Sequence, residues 1–494
     1  MPWQILTARI HYFMKEFFRN GGIGEVLKIA LPLVAATSCH AVNTLIDRIM
    51  LSHYSQNAMA AALPAGVTSF SFACVFFGTV AYTGAFVAQY TGAGMKHRVG
   101  PAVWQGVWIA IAGGAILATC CLYSQWLFRL FGHSPEIQHL EVQYFNILSA
   151  GSAAMLVAVA LSSFWSGRGL TGMVMANGIV TSLCNIPFNY LLIFGAKLKL
   201  GAFELIIPEL GVAGAAYGTV AANLVSLVIY AAGFLLPFGI RRSYHTLTLA
   251  PEKDLLKRLL RYGIPNGVQI LLDVAAFNIF VVVLGKINDS VLAASGVALS
   301  MYYLAFQPTN GFGQAAAILV GQSIGAADIP CARRTVRSTA AIIFAYLALM
   351  ALFFVCFPDP ALNFFKIRSA EVEELSRFML RFSAVYIFFD GINILCSSAI
   401  KSAGDTKAAM WIGISCAWIA YVLPCVLAFG YYSAESTVAR LGMAAAQHRC
   451  LWAMWIICDL YICCCGVFML WRYLTYRWTK MRVIEPGSPT HASE

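Results

Sequence analysis

Long apolar runs, each about as long as a membrane-spanning helix, follow one another along the whole chain. A spanning helix needs roughly 20 mostly apolar residues. Such runs are centred near residues 38, 75, 112, 153, 184, 225, 274, 308, 347, 388, 419 and 461. The runs are continuous rather than alternating with period two, which favours helices over a β-barrel. The pattern therefore predicts an all-α polytopic membrane protein with twelve transmembrane helices.

Composition and charge agree with a chain that is buried in a bilayer. Of its 494 residues, 60% are hydrophobic and only 11% are charged, whereas a soluble protein carries about 25% charged residues. The formal net charge of +11 raises the question of a nucleic-acid partner. The basic residues are spread through alternating short loops rather than gathered on one face, so we exclude that partner. Their bias to one side instead predicts that both termini are cytoplasmic.

Polar segments divide the chain into five predicted parts. The longest basic polar stretch lies in the middle of the sequence and separates six apolar runs from six others. The predicted parts are an N-terminal cytoplasmic or interfacial segment (1–24), a first six-helix bundle (25–240), a cytoplasmic linker (241–262), a second six-helix bundle (263–475) and a cytoplasmic tail (476–494).

Short motifs of the first half recur in the second half at a nearly constant interval. The pairs are Pro32 with Pro265, Gln89 with Gln322, and Gly169 with Gly404. Because six helices are an even number, both copies of such a repeat cross the membrane in the same sense. We therefore expect two bundles related by a pseudo-two-fold axis along the membrane normal, an arrangement in which transporters carry substrate near the midplane.

Four carboxylates lie inside the apolar runs, and they are the strongest functional signal in the chain: Asp47, Asp273, Asp390 and Asp459. A charge at membrane depth is costly, so it normally faces a bundle interior or a water-filled cavity and marks an ion or substrate path. These positions predict an ion-coupled transporter. Asp459 fits a cavity position and a role in local polar packing equally well.

The first candidate cluster combines residues of the first, fifth and sixth predicted helices. Asn43 and Asp47 are four residues apart and share a helix face, and Asn185 and Asn189 repeat that spacing. Thr219 adds a hydroxyl. Carboxylate, amide and hydroxyl oxygens are suited to a small cation such as Na⁺. The alternative is that the two asparagines at 185 and 189 only form hydrogen bonds between helices.

The second candidate cluster lies in the second half. Tyr386 and Asp390 are one helical turn apart, as are Gln269 and Asp273. Two carboxylates on neighbouring helices repel each other unless a cation or proton lies between them. The alternative is a structural pair with a basic partner, but Lys401 lies about three turns beyond Asp390 and is a poor candidate for it.

Other classes of protein find less support in the sequence. No nucleophile or metal-ligand motif is recognisable, so we predict that the chain is not an enzyme. No glycine-rich phosphate-binding loop precedes a Lys-Ser or Lys-Thr pair, which argues against an ATPase. Two rivals remain. A lipid-linked oligosaccharide flippase of related architecture would need a cationic cavity for phosphate, and a cation channel would use rings of acidic residues.

Taken together, the order of these motifs resembles the multidrug and toxic compound extrusion (MATE) family, most closely its NorM-like branch. The resemblance spans roughly residues 25 to 475. It is carried by Ile46-Asp47, Gln89 with Gly92-Ala93, Ser166 to Thr171, Asn185 to Asn189, Gly211 to Ala216, Asp273, Tyr386 with Asp390, and Ala403 to Thr406.

The resemblance implies an antiporter that exports organic cations and other drugs in exchange for Na⁺ or H⁺ by alternating access, without another cofactor. It implies two ion sites, and every residue that it or the spacing indicates is a candidate. The N-bundle set is Asp47, Asn185, Asn189 and Thr219; the C-bundle set is Asp273, Tyr386 and Asp390; possible cavity residues are Asn43, Gln269 and Asp459. A monomer in a bacterial inner membrane is expected.

Two departures from the family pattern concern the ion sites. The seventh helix carries Asp273 where the branch commonly has Glu, which shortens the reach of the carboxylate. Some relatives have an acid where this chain has Asn189, so the first site carries less negative charge here. Either departure bears on ion preference.

Overall fold

The computed structural model describes residues 19–200, 203–363 and 369–485. Most of the predicted N-terminal segment, and the part of the predicted tail beyond residue 485, lie outside these ranges. All statements below concern the described residues.

Twelve helices are long and apolar enough to cross a membrane, as predicted. Every predicted centre lies within one of them. In chain order they are α1 Ile23–Tyr54, α2 Gln56–Gly92, α3 Lys96–Arg129, α4 Pro135–Ser166, α5 Thr171–Phe194, α6 Val212–Leu235, α7 Lys253–Gly285, α8 Ser290–Gly325, α9 Ile329–Cys356, α10 Ala370–Ala403, α11 Thr406–Ser433 and α12 Met443–Leu474.

Some of these helices carry local irregularities. The α-helical pattern of α2 is interrupted at Tyr82, and α3 contains a 3₁₀ turn at Cys120–Tyr123. In α11 the segment Cys416–Val422 is a π-helix and is followed closely by Pro424. Single π-helical turns are rare and often lie at functional positions. Shorter helices cover Phe238–Tyr244, Pro358–Asn363 and Glu435–Leu441.

A short β-hairpin connects α5 and α6, which the sequence analysis did not predict. Strand β1 Ala196–Leu200 pairs antiparallel with β2 Phe203–Ile207, with Ala196 opposite Ile207 and Leu200 opposite Phe203. Five-residue strands carry too weak a signal beside two long apolar helices to be recognised from their pattern alone. The chain is therefore nearly, but not wholly, α-helical.

The chain divides into two compact units. The N unit contains residues 32–268, 325–327 and 483–485, and the C unit contains residues 19–31, 269–324 and 328–482, within the described ranges. Each unit has its own apolar core, with Phe86, Phe164 and Phe234 in the N unit and Phe280, Met454 and Trp455 in the C unit. The predicted domain boundaries at residues 240 and 263 stay predictions.

Backbone conformation repeats between the halves as the motifs do. Gly169 and Gly404 both adopt positive φ, 77° and 110°, two residues before the start of α5 and α11. Gly94 (φ 74°) and Ala327 (φ 58°) are separated by the same interval as Gln89 and Gln322, and both lie in the turn that follows an even-numbered helix. Similar local geometry at equivalent places supports an internal duplication.

Candidate functional site

Asp47 forms the centre of a polar cluster in the N unit. The side-chain amide of Asn189 on α5 donates a hydrogen bond to Asp47 Oδ1 on α1 at 2.5 Å, and it also lies 3.3 Å from Asn185 Oδ1. Both asparagines are buried, whereas Asp47 is half-buried. Two helices are therefore joined by a carboxylate that keeps partial access to its surroundings.

Asn189 has a second polar atom that the described residues leave unused. Its Oδ1 is buried without a hydrogen-bond partner. It faces α6 closely, because a Cβ atom placed on Gly218 would lie 1.8 Å from it. A buried carbonyl oxygen without a donor is costly, and it is also a free ligand for a small cation. The cluster thus presents one carboxylate and two amide side chains to the same region.

The two other predicted residues of this cluster have local partners. The Thr219 hydroxyl donates to the Ala215 carbonyl of its own helix at 3.0 Å. The Asn43 amide donates to Ser182 Oγ on α5 at 3.0 Å. Asn43 therefore joins α1 to α5 one turn before Asp47. Thr219 is adjacent to Gly218 but makes no hydrogen bond to Asp47 or to either asparagine among the described residues.

Asp390 in the C unit is buried and accepts a hydrogen bond from a phenol. The donor is Tyr302 on α8, whose hydroxyl lies 2.9 Å from Asp390 Oδ2. Tyr386, the phenol that the sequence placed beside Asp390, packs edge-on against Tyr302 with ring centroids 5.0 Å apart. Asn393, a further neutral neighbour of Asp390, accepts a hydrogen bond from Cys465 Sγ at 3.3 Å. The carboxylate is held by neutral donors.

Asp273 lies close enough to Asp390 for the two charges to interact. Its Oδ1 atom is buried and has no hydrogen-bond partner among the described residues. Gln269, one turn earlier on α7, is a polar neighbour, and Lys401 on α10 is an electrostatic partner. Lys401 and Asp273 lie on different helices, so residue spacing along one helix, which made Lys401 a poor partner for Asp390, does not reveal this interaction.

Asp459 and Glu141 are two further carboxylates within spanning helices. Asp459 Oδ1 is buried without a hydrogen-bond partner in the described part of the chain, and its residue is half-buried. Glu141, which the sequence analysis did not select, is fully buried and lies 2.7 Å from His133 Nδ1. Glu141 lies near the start of α4, so its apolar context was less evident in the sequence.

The candidate acids differ from the acids that form structural ion pairs. Asp405, in the repeated motif before α11, is buried against Arg472 at 2.7 Å. Within the described ranges, Asp47, Asp390 and Asp459 form no ion pair with Arg, Lys or His within 4.0 Å. No group of three His, Cys, Asp or Glu side chains in those ranges is arranged to hold a metal ion. Asp47, Asp390 and Asp459 therefore lack, among the described residues, the fixed cationic partner that Asp405 has.

Twelve spanning helices with polar clusters inside them define a polytopic membrane transporter. A family model described as MatE matches residues 32–191 and 265–427, which is more than half of the chain. The chain belongs to the MatE family of multidrug efflux transporters.

Relatives agree with this assignment. The chain is 28% identical over 421 residues to the "Probable multidrug resistance protein NorM" of Pseudomonas aeruginosa, covering 82% of each chain. It is 24% identical to the protein of the same name from Mannheimia succiniciproducens, over 80% of this chain and 83% of that one.

Two solved structures have the same fold. One is the outward-facing conformation of a multidrug resistance MATE family transporter (TM-score 0.78, 18% identity, 94% of this chain and 98% of that one). The other is the crystal structure of the eukaryotic MATE transporter AtDTX14 (TM-score 0.78, 18% identity, 95% of this chain and 97% of that one).

Proposed function

We propose that this protein is a secondary antiporter that exports organic cations and other drugs in exchange for Na⁺ or H⁺. The observation that carries the proposal is Asp47, a carboxylate on a spanning helix that is bound by the amide of Asn189 and has no ion-pair partner among the described residues. Membrane-embedded acids of this kind mark ion paths. The names of its relatives, probable multidrug resistance proteins, support drugs as the substrate class.

Coupling requires that the ion and the drug each favour one state of the transporter. An effector shifts an equilibrium only as far as its affinity differs between the two states. A cation or proton on Asp47, or on the interacting pair Asp273 and Asp390, removes negative charge from the protein interior. Bound ion therefore stabilises one access state, and bound drug stabilises the other. By linkage, each ligand lowers the affinity for the other.

The two clusters have different chemistry, and this bears on which of them binds Na⁺. The N-unit cluster offers amide oxygens beside one carboxylate, which are hard ligands. In the C unit, Lys401 supplies positive charge to Asp273, and Tyr302 donates to Asp390. A neighbouring ammonium weakens the attraction for a second cation. We place Na⁺, if it is the coupling ion, at Asp47, and proton exchange at Asp390.

The twelve spans and the charge bias of the loops bear on the setting of the protein. We propose a monomer in the bacterial inner membrane with both termini in the cytoplasm, since the basic residues concentrate in the loops on that side. The alternative functions receive no support from the described clusters. A flippase needs cationic side chains for phosphate, whereas the charged side chains of the two candidate ion clusters are Asp47 in the first and Asp273, Asp390 and the neighbouring Lys401 in the second.

Ethidium transport in inside-out vesicles with separately imposed Na⁺ and pH gradients tests this proposal. We expect transport to depend on one of the two gradients and to be lost in Asp47→Asn and Asp390→Asn, while membrane insertion is unchanged. Full transport by both variants, or transport without either gradient, contradicts the proposal. A channel is distinguished by ion current that needs no drug.

A further inference from the structure

A cavity of about 460 Å³ lies in the C unit, apart from the acidic clusters. It is formed by α9, α10, α12 and the residues that follow α12. Its wall is apolar over most of its length, with Ala340, Phe344, Phe388, Leu395 and Leu470 among the lining residues. The volume is within the range of sites that hold small organic ligands.

Two arginines lie at one end of this cavity. Arg333 and Arg337 are one turn apart on α9 and therefore share a face. Seven residues separate Arg337 from Phe344, or about 10 Å along the helix. The rings of Phe344 and Phe388, which pack at a tilt with centroids 4.9 Å apart, form the opposite part of the wall. The cavity is thus cationic at one end and apolar at the other.

The positive charge of these arginines is not neutralised within the described part of the chain. Neither Arg333 nor Arg337 forms an ion pair there. Arg333 Nε is buried without a hydrogen-bond partner, although its guanidinium lies 4.3 Å above the ring of Tyr476. An unpaired buried donor is costly, and a guanidinium that has free N–H groups is suited to a phosphate.

Tyr476 is held in an uncommon backbone conformation beside them. Its φ is 53°, in the left-handed region that non-glycine residues seldom adopt. Residues kept in such conformations cluster at ligand-binding positions. Here the conformation accompanies a ring that stacks on Arg333 and forms part of the cavity wall.

Arg334, between the two, has a different role. Its guanidinium donates to the Asn20 carbonyl at 2.6 Å, and Ser338 donates to the Gly21 carbonyl at 2.8 Å. This face of α9 therefore anchors the start of the described chain. Arg334 is a matched control for the charge of its neighbours.

We propose that this cavity binds an anionic phospholipid, with the phosphate at Arg333 and Arg337 and an acyl chain along the apolar wall. Phe388 and Leu474 are exposed at its edge, so a chain can enter from the surrounding hydrocarbon. Basic pockets between spanning helices on the cytoplasmic side are suited to acidic headgroups. The positive-inside prediction assigns the start of α9 to that side. None of the candidate acids lines this cavity.

Native mass spectrometry of the purified full chain tests this, with phosphatidylglycerol as the anionic probe and phosphatidylcholine as the zwitterionic one. We expect phosphatidylglycerol to be retained selectively. Arg333→Gln with Arg337→Gln should weaken that retention by roughly 5-fold per arginine, and Arg334→Gln should leave it unchanged. Ala340→Phe fills the apolar part without altering charge and should also reduce retention.

Further arms separate this site from general attraction to a basic surface. Glycerol 3-phosphate, which carries the headgroup chemistry without acyl chains, should not displace the lipid. Equal retention of the two lipids, equal loss in Arg334→Gln, displacement by glycerol 3-phosphate, or full binding by Ala340→Phe would each overturn the proposal. If the double variant does not fold, Arg337→Gln alone and Ala340→Phe decide it, because both positions have room for the change.

Discussion

The acids of this protein differ in the kind of side chain that holds them. Asp405 is paired with Arg472 at 2.7 Å and joins α12 to the turn before α11. Asp47 and Asp390 are held instead by neutral donors, an amide and a phenol. Burying a charge beside neutral donors is less favourable than pairing it. Retaining such acids makes physical sense when a mobile ion supplies the missing positive charge.

At Asp47, the amide of Asn189 should be important for ion affinity. When Na⁺ is the coupling ion, replacing Asn189 by Ala removes the buried amide oxygen that is available to bind it beside the Asp47 carboxylate; a polar contact to a charged group is worth about 1.5–3 kcal/mol. We expect the concentration of coupling ion needed for half-maximal efflux to rise about 10- to 100-fold. The control is Asn177→Ala, which removes a 2.7 Å bond to Ser226 in the same unit. An equal shift in both variants contradicts a specific role.

The turns that follow α2 and α8 allow a test of backbone strain at single residues. Gly94 and Ala327 both have positive φ, and a Cβ at Gly94 meets no atom within 4 Å. Gly94→Ala should therefore cost about 1 kcal/mol through conformation alone. Ala327→Gly removes that strain and should be neutral or stabilising by up to about 1 kcal/mol. Thermal unfolding in detergent measures both; shifts of the same sign would contradict the argument.

At the scale of elements, close packing of α6 against α5 holds the Asp47 cluster in place. Gly218 has no side chain, and this absence leaves room for Asn189 Oδ1. The sequence predicted the helices well, because runs of 20 apolar residues need no tertiary context. The spacing of four residues also indicates that Asn43 and Asp47 share one face of α1 and that Asn185 and Asn189 share one face of α5.

Contacts between helices that are distant in the sequence could not be predicted from the sequence. Tyr302 donates to Asp390 from α8, and Lys401 interacts with Asp273 from α10. Each pair joins two different helices, so the number of residues between its members does not indicate that they are in contact. The contact depends on how the helices pack. The hairpin β1–β2 was missed because its strands are five residues long.

Gly218→Ala should disable the cluster without unfolding the protein. The added methyl displaces the Asn189 side chain, so we expect at least a roughly 10-fold loss of ion-driven efflux. Gly178→Ala is the control on α5, since its Cβ would meet only Ala36, at 3.5 Å or more. Expression level and unfolding temperature should show that Gly218→Ala remains folded. Normal efflux by that variant contradicts the proposed role of Asn189.

At the scale of the whole chain, the segment after α12 returns to the N unit. The chain passes from the C unit to the N unit between Arg482 and Val483. Val483 and Ile484 are buried in the N-unit core. The carboxylate of Glu485 accepts a hydrogen bond from the Tyr90 hydroxyl at 2.8 Å and forms ion pairs with Arg98 at 3.0 Å and Arg258 at 2.5 Å. The end of the described chain is therefore a fixed part of the N unit.

The charge of Glu485 gives a pH prediction. Burial alone raises its pKa, but the hydrogen bonds from Arg258 and Tyr90 and the Arg258 charge lower it to about 2. A carboxylate whose pKa is lowered by folding contributes its full stabilisation at pH values above its pKa in the unfolded chain. That contribution is lost as the pH falls toward the folded-state pKa of about 2. Between about pH 5 and 8 it stays ionised. Titration of Glu485 therefore cannot cause a change in transport activity over that pH range, and we expect Glu485→Gln to show the same pH dependence of transport as the wild type.

Glu485→Gln should also lower stability. Loss of partly exposed ion pairs and charged hydrogen bonds costs about 1–2 kcal/mol, or an unfolding temperature lower by a few degrees. The exposed Glu374 provides a control, since Glu374→Gln should change little. An unchanged unfolding temperature in Glu485→Gln would show that the segment is not held by its carboxylate.

The most direct test of the account is ion movement driven by drug alone. In proteoliposomes loaded with ethidium and given no ion gradient, linkage requires that outward drug flow draws the coupling ion inward. We predict uptake of ²²Na⁺, or alkalinisation outside the vesicles, in the wild type and its loss in Asp47→Asn and Asp390→Asn. Ethidium efflux without movement of either ion, or unchanged ion uptake in both variants, would contradict the claim that these acids carry the coupling ion.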